Sequence, residues 1–222
     1  LSEQEGALDP PCTSDSLTFE SADFIDVSFR YPGTERYILK NFNLHIEKGL
    51  HYAVVGINGA GKTTLTKLLT GLYDNFEGDI RINGISIHEY TQAQLKALFS
   101  VVYQDFARYY IPMRENIALG NMNVRDDSRI LKAAAAAGLE ESIAQLADGM
   151  DTPLGKIMEK GSDLSGGQWQ RVALARSLYN PAKVRILDEP TASLDPVAES
   201  NVYEMFSRIS AGHSTIFITH RL

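Results

Sequence analysis

The stretch Gly56-Ile-Asn-Gly-Ala-Gly-Lys-Thr63 has the residue types and spacing of a phosphate-holding loop. It fits G-x-x-x-x-G-K-[ST], with an apolar strand-like run before it and a helix-like run after it, as that motif requires. Gly56, Gly59 and Gly61, with Asn58 and the small Ala60 between them, let successive backbone N–H groups turn inward around an anion. The helix that opens through Lys62, Thr63 and Thr64 adds partial positive charge behind them. In this arrangement Lys62 reaches the β- and γ-phosphates of a nucleotide, and the Thr63 hydroxyl ligates Mg2+. A glycine-rich turn that binds nothing is the plain alternative, and the flanking elements argue against it.

Such a loop needs a metal-orienting carboxylate at the end of another buried strand. Val184-Arg-Ile-Leu-Asp-Glu189 supplies one. Asp188 is placed to hold the ion, directly or through water, and Glu189 to polarise an attacking water as general base. The chain carries no N-K-x-D base-reading motif, which separates it from GTPases. A second anion-binding feature, Leu164-Ser-Gly-Gly-Gln168, opens another helix. There Ser165, Gly166 and Gly167 present a hydroxyl and bare N–H groups with the helix dipole behind them. Two phosphate-binding helix ends in one chain make sense if each serves a different copy of the protein.

The elements that must position these groups can be read from periodicity. Phe24–Phe29 and Ile38–Ile46 alternate like half-buried strands, and Ile80–Ile87 reads as a hairpin about Asn83-Gly84 with a type I′ turn. The early part is therefore expected to be antiparallel. His51–Val55 is a short apolar strand, and Leu65, Leu68, Leu69 and Leu72 mark one face of a helix closed near Gly71. Gln92 to Leu146 reads as helical, and Gly167–Tyr179 as a helix stopped by Asn180-Pro181. Val184–Leu187 and Thr215–Thr219 read as parallel strands with a helix between them.

Composition bounds the rest. At 222 residues the chain holds between one and two domains of roughly 150 residues. Its hydrophobic and charged fractions, 44% and 22%, are those of an ordinary globular protein. Acidic residues outnumber basic ones, 28 to 21, giving a net charge of -7 and arguing against nucleic acid as a partner. The single cysteine, Cys12, cannot form an internal disulfide, and no apolar run reaches the length of about 18 residues needed to span a bilayer. The expectation is a soluble intracellular domain, preceded by a polar linker over residues 1–22.

The pentapeptide Leu164–Gln168 arises by chance in on the order of one in a few thousand chains of this length, so it decides the class. From about Asp23 onward the chain resembles the nucleotide-binding domain of ATP-binding cassette (ABC) transporters. The resemblance implies an α/β P-loop fold with a mostly parallel sheet, an antiparallel β subdomain and a helical subdomain. It places the core at residues 23–90 and 180–222 and the helical part at about 91–165. Further positions match in order. Gln104 in V-V-Y-Q-D resembles the glutamine that senses the metal and faces the membrane partner, and Asp195 in Ser193-Leu-Asp195 the loop that crosses a dimer interface. His220 in I-T-H-R resembles the switch histidine on the γ-phosphate, and Tyr31 in F-R-Y-P the aromatic that stacks on adenine.

The mechanism so implied is head-to-tail pairing of two cassettes around two ATP–Mg2+ molecules. Each nucleotide is held by the P-loop of one chain and Ser165, Gly166, Gly167 and Gln168 of the other, with Lys62, Gln104, Glu189 and His220 catalytic. Glu159-Lys-Gly161, Met113–Ile117 and Tyr31 resemble exporter features, so the implied partner is a transmembrane domain fused upstream, at the cytoplasmic face of the membrane. An importer ATPase subunit is the alternative within the family. A DNA-repair or translation cassette is the alternative outside transport, and the short helices between Lys62 and Leu164 and the acidic charge disfavour it. Because the family continues past His220, the expectation is also that the chain is truncated at its C-terminus. Trp169 and Tyr103, Tyr109 and Tyr110 either frame a membrane-domain interface or simply pack; the scattered His45, His51, His88 and His213 carry no metal-ligand spacing.

Overall fold

The computed structural model describes residues 16–156, 161–190 and 213–219. Its framework is two sheets. Strands β1 (Ser21–Phe29), β2 (Leu39–Glu47), β4 (Glu77–Ile82) and β5 (Ile85–Ser86) form an antiparallel sheet in the order β2-β1-β4-β5. The β4–β5 turn has Asn83 and Gly84 at φ 54° and 80°, the paired positive values of a type I′ turn. Strands β3 (His51–Val55), β6 (Phe99–Val102), β7 (Val184–Asp188) and β8 (Ser214–Thr219) form a parallel sheet in the order β3-β8-β7-β6.

The parallel sheet has an apolar cluster on each face, and strand alternation assigns residues to them. Val184 and Ile186 join one cluster with Leu65, Leu68 and Leu69 of α1 (Lys62–Leu69) and Leu95 and Leu98 of α2 (Gln92–Leu98). Leu187 joins the other, built on α6 (Gly166–Tyr179), with residues of α3 (Met113–Ala118) and α4 (Asp127–Ala136). A short helix, α5 (Glu140–Ala144), follows α4. Trp169, Val172, Leu174, Ala175 and Tyr179 are all buried, so α6 is enclosed on several sides. Among the described residues no helix is long and apolar enough to cross a membrane.

Three sequence expectations need correction. The stretch from Gln92 to Leu146 is not continuously helical, because Phe99–Val102 is a core strand paired in parallel with β7. Phe99 points into the α1 side and Val102 into the α6 side, a two-residue period too short to register within a helical run. Gln92–Leu98 is helical and packs on the α1 side, and the helices of the α6 side follow β6. At the other end, β1 starts at Ser21, and Phe19 is buried edge-on to Phe99 with centroids 6.3 Å apart, so the linker stops short of residue 22. Lastly, Leu72 lies outside α1 and is exposed. The Gly71 and Leu72 N–H groups donate to Leu68 and Lys67 carbonyls at 3.0 and 2.8 Å, the paired bonds that end a helix. The helix expected between β7 and β8 lies outside the described residues.

Candidate nucleotide site

Parallel pairing brings four strand ends to one edge. Val55 pairs with Thr219, Ile218 with Asp188, and Leu187 with Val102, so the segments after β3, β7, β8 and β6 all start there. In open α/β sheets the ligand crevice lies at the carboxyl ends of the strands. The loop after β3 turns directly into α1. Gly59 and Gly61 take φ of 80° and 91°, and a Cβ on Gly61 would press on Ile38 and Leu39 at 3.0 and 3.1 Å. Glycine is required there both for its backbone and for close approach.

Lys62 is buried and folds back over the loop. Its Nζ donates to the carbonyls of Gly56 (2.7 Å) and Ile57 (3.1 Å) and lies 3.9 Å from Glu189 Oε1. An ammonium has three protons, so two hold the loop and one is left for a ligand. Asp188 continues the Val184–Ile186 face of β7, the face that α1 covers, and this brings its carboxylate to the Thr63 hydroxyl. Burial raises the Asp188 carboxyl above its ordinary range, opposed by the Thr63 hydrogen bond and by Lys62 and Lys67. Its Oδ1 is buried with no hydrogen-bond partner. A buried orphan oxygen beside a hydroxyl fits Mg2+, which takes one or two protein oxygens and completes its shell with phosphates and water. Among the described residues no three His, Cys, Asp or Glu side chains cluster to hold a metal by themselves.

Glu189 follows in the left-handed region at φ 50°, its N–H donating to Ile218 at 2.9 Å. Backbone strain of this kind collects at working sites. Tyr31 is half-buried, with its hydroxyl 2.9 Å from Thr64 Oγ1 and its ring edge-on to Phe29 and Tyr73 at 5.1 and 5.4 Å. Gln104 is exposed two residues beyond β6.

The Ser165–Gln168 turn stands apart from this group. Ser165 Oγ accepts the Gln168 N–H at 3.2 Å, and Gln168 Oε1 accepts the Ser165 N–H at 2.8 Å. This capping box commits the Ser165 lone pair to the helix, but leaves its proton and the N–H groups of Gly166 and Gly167 for an anion. The turn opens on a cleft of about 280 Å³ lined by α5 and α6, and no P-loop residue borders it. The structure thus unites Tyr31, Lys62, Thr63, Thr64, Asp188 and Glu189, whereas Ser165, Gly167 and Gln168 line a separate cleft. Asp195 and His220 lie outside the described residues, as does Glu159-Lys160. Trp169 is a core residue, whereas Tyr103, Tyr109 and Tyr110 are on the surface. Sequence reading singled out Met113–Ile117 only as an exporter-like stretch and passed over Arg176, and it gave no sign that Asn116 and Arg176 join α3 to α6 through their polar groups.

Comparison with known proteins agrees with this geometry. The ABC transporter family profile matches residues 39–192. The nisin transport ATP-binding protein NisT of Lactococcus lactis subsp. lactis is 40% identical over 199 residues, covering 89% of this chain and 33% of that protein. The ATP-dependent lipid A-core flippase of Alkalilimnicola ehrlichii is 40% identical over 200 residues, covering 90% of this chain and 33% of the flippase. Among solved structures, a bacterial Atm1-family ABC exporter with ATP bound matches at a TM-score of 0.83 and 34% identity, over 97% of this chain and 36% of its own. The chain thus spans about a third of the length of these relatives.

Proposed function

The chain belongs to the ABC transporter family, and from that membership and its site we infer that it binds and hydrolyses ATP to drive export through a membrane domain. The observation that carries the reading is the meeting of Lys62, Thr63, Asp188 and Glu189 at one sheet edge, with an unpartnered carboxylate oxygen among them. Loop N–H groups and the third Lys62 proton hold the β- and γ-phosphates, and Tyr31 carries the adenine. Thr63 and Asp188 would hold Mg2+, with Gln104 at the same edge; the ion would neutralise charge on the phosphate oxygens. Glu189 orients and deprotonates the attacking water, its backbone already fixed by Ile218. His220, next in sequence after β8, is assigned the γ-phosphate contact by resemblance.

Because Ser165–Gln168 borders none of these groups, it serves the nucleotide of a second cassette. Asp195 would cross that interface. ATP then closes two chains head to tail, and hydrolysis releases them. The names of the relatives, a nisin transport protein and a lipid A-core flippase, support export over import. A transmembrane partner, fused upstream as the length of the relatives suggests, would place the domain at the cytoplasmic face of the membrane.

The test is turnover and size-exclusion chromatography with and without ATP–Mg2+. Lys62→Ala loses ATP binding. Glu189→Gln keeps binding, loses turnover by about a hundredfold or more, and elutes as an ATP-dependent dimer. Native-rate hydrolysis by Glu189→Gln would remove the general base from the scheme.

A further inference from the structure

Helix α6 carries Ser165 at its N-terminus and, about 16 Å further along its axis, Arg176. Arg176 reaches across to α3 and to the loop that follows Gln104. Its Nε donates to the Asn116 carbonyl and a terminal nitrogen to Asn116 Oδ1, both at 3.1 Å; the other terminal nitrogen donates to the Ala107 carbonyl at 3.4 Å. Its guanidinium carbon lies 4.9 Å from the Tyr109 ring centroid. Asn116 is fully buried, and its Nδ2 donates to the carbonyls of Tyr109 (2.9 Å) and Ile111 (3.0 Å). Two side chains thus tie down the segment from Ala107 to Ile111.

The backbone makes the same junction. Gly120, just past α3, lies against α6 so closely that a Cβ would sit 2.1 Å from the Arg176 carbonyl oxygen, and Asn180 Nδ2 donates to Gly120 O at 2.8 Å. None of the Arg176 contacts above is to a carboxylate, and burial lowers its pKa. A cation is costly in such a place; what it supplies is a planar fork whose five donors span two chain segments at once, which a lysine cannot do.

We propose that Arg176 is a positioning residue that fuses the loop after Gln104 to α6, so that the Gln104 loop and the Ser165–Gln168 turn shift as one unit. A change at the P-loop metal, felt by Gln104, then moves the surface offered to the second cassette. The inference rests on the roles assigned above to Gln104 and Ser165–Gln168, and goes beyond them in naming the connection.

Amide hydrogen exchange in the full chain during an ATP–Mg2+ titration tests it. In the unsubstituted protein, protection at residues 105–112 and at 165–168 rises with the same ATP midpoint. Arg176→Lys, which keeps the charge but loses the fork, separates the two midpoints by about threefold or more while ATP affinity at the P-loop changes less than twofold. Tyr109→Leu, at a surface position, gives a smaller split in the same sense and decides the matter if Arg176→Lys does not fold. A purely structural Arg176 would lower the melting temperature and leave the midpoints together; coincident midpoints in the folded variants overturn the proposal. Failure of the bridging reading is seen separately, as absence of an ATP-dependent dimer with Glu189→Gln. In that case the monomer's two midpoints still decide for or against the clamp.

Discussion

Asp188 is the residue at which folding and the proposed metal-holding role make opposite demands. Burial lifts its carboxyl above the unfolded value, so the folded state holds that proton more tightly than the unfolded chain does. The stability associated with this group is full below the unfolded carboxylate range and is lost as pH rises through the higher folded value. At neutral pH the ionised Asp188 therefore weakens the fold, and the unpaired Oδ1 shows where the cost sits. Asp188→Asn should raise the melting temperature by a few degrees at pH 7 without divalent ion, with the gap closing as pH falls toward 4. Turnover should vanish, and Mg2+ with ATP should stabilise the unsubstituted protein but not the variant. Thermal melts across pH check this; a lower melting temperature for Asp188→Asn at pH 7 would contradict it. The sequence placed this carboxylate at a strand end. It held no sign of which oxygen stays unpaired, because that depends on α1 crossing the same face of β7.

At the scale of elements, Ser165 belongs both to α6 as its cap and to the proposed second-cassette contact, and substitutions can part the two roles. Ser165→Ala removes the cap and should cost about 1 kcal/mol of stability. Ser165→Asp keeps a good capping oxygen at a helix N-terminus, so the melting temperature should stay close to that of the unsubstituted chain. In the proposed arrangement its negative charge would face the phosphates of the second nucleotide, and the ATP-dependent dimer in the Glu189→Gln background should be lost. A dimer of normal affinity would show that Ser165 only caps the helix. Reading elements from sequence succeeded where local chemistry decides. Asn83-Gly84 dictates its turn, and the leucines of α1 have one buried face. It failed at Phe99–Val102, whose four residues are a strand only because β7 lies beside them, and at Leu72, where two backbone hydrogen bonds end the helix one residue pattern too soon. Gln104 was found by motif, yet its place at the sheet edge depends on the strand that was missed.

Across the whole molecule, α1 and α6 belong to apolar clusters on opposite faces of one sheet, and no P-loop residue borders the cleft at the Ser165 turn, so in the proposed scheme each nucleotide site is completed by two chains. Pairing of this chain with a second copy would then bring together two bodies that each carry a net charge of -7. In the proposed site the attraction of Lys62 and the backbone dipoles for a nucleotide acts within a few ångströms of the phosphates. The long-range part of the encounter is repulsive. Its reach is set by salt, with a screening length of about 30 Å at 0.01 M and about 8 Å at 0.15 M. Association of the Glu189→Gln protein at saturating ATP–Mg2+ should therefore speed up severalfold as NaCl is raised from the lower concentration to the higher, the reverse of the behaviour of a protein steered by opposite charge. Stopped-flow light scattering gives the rate directly. If association slows instead, the interface charges outweigh the net charge, and the acidic surface lies away from the closing faces.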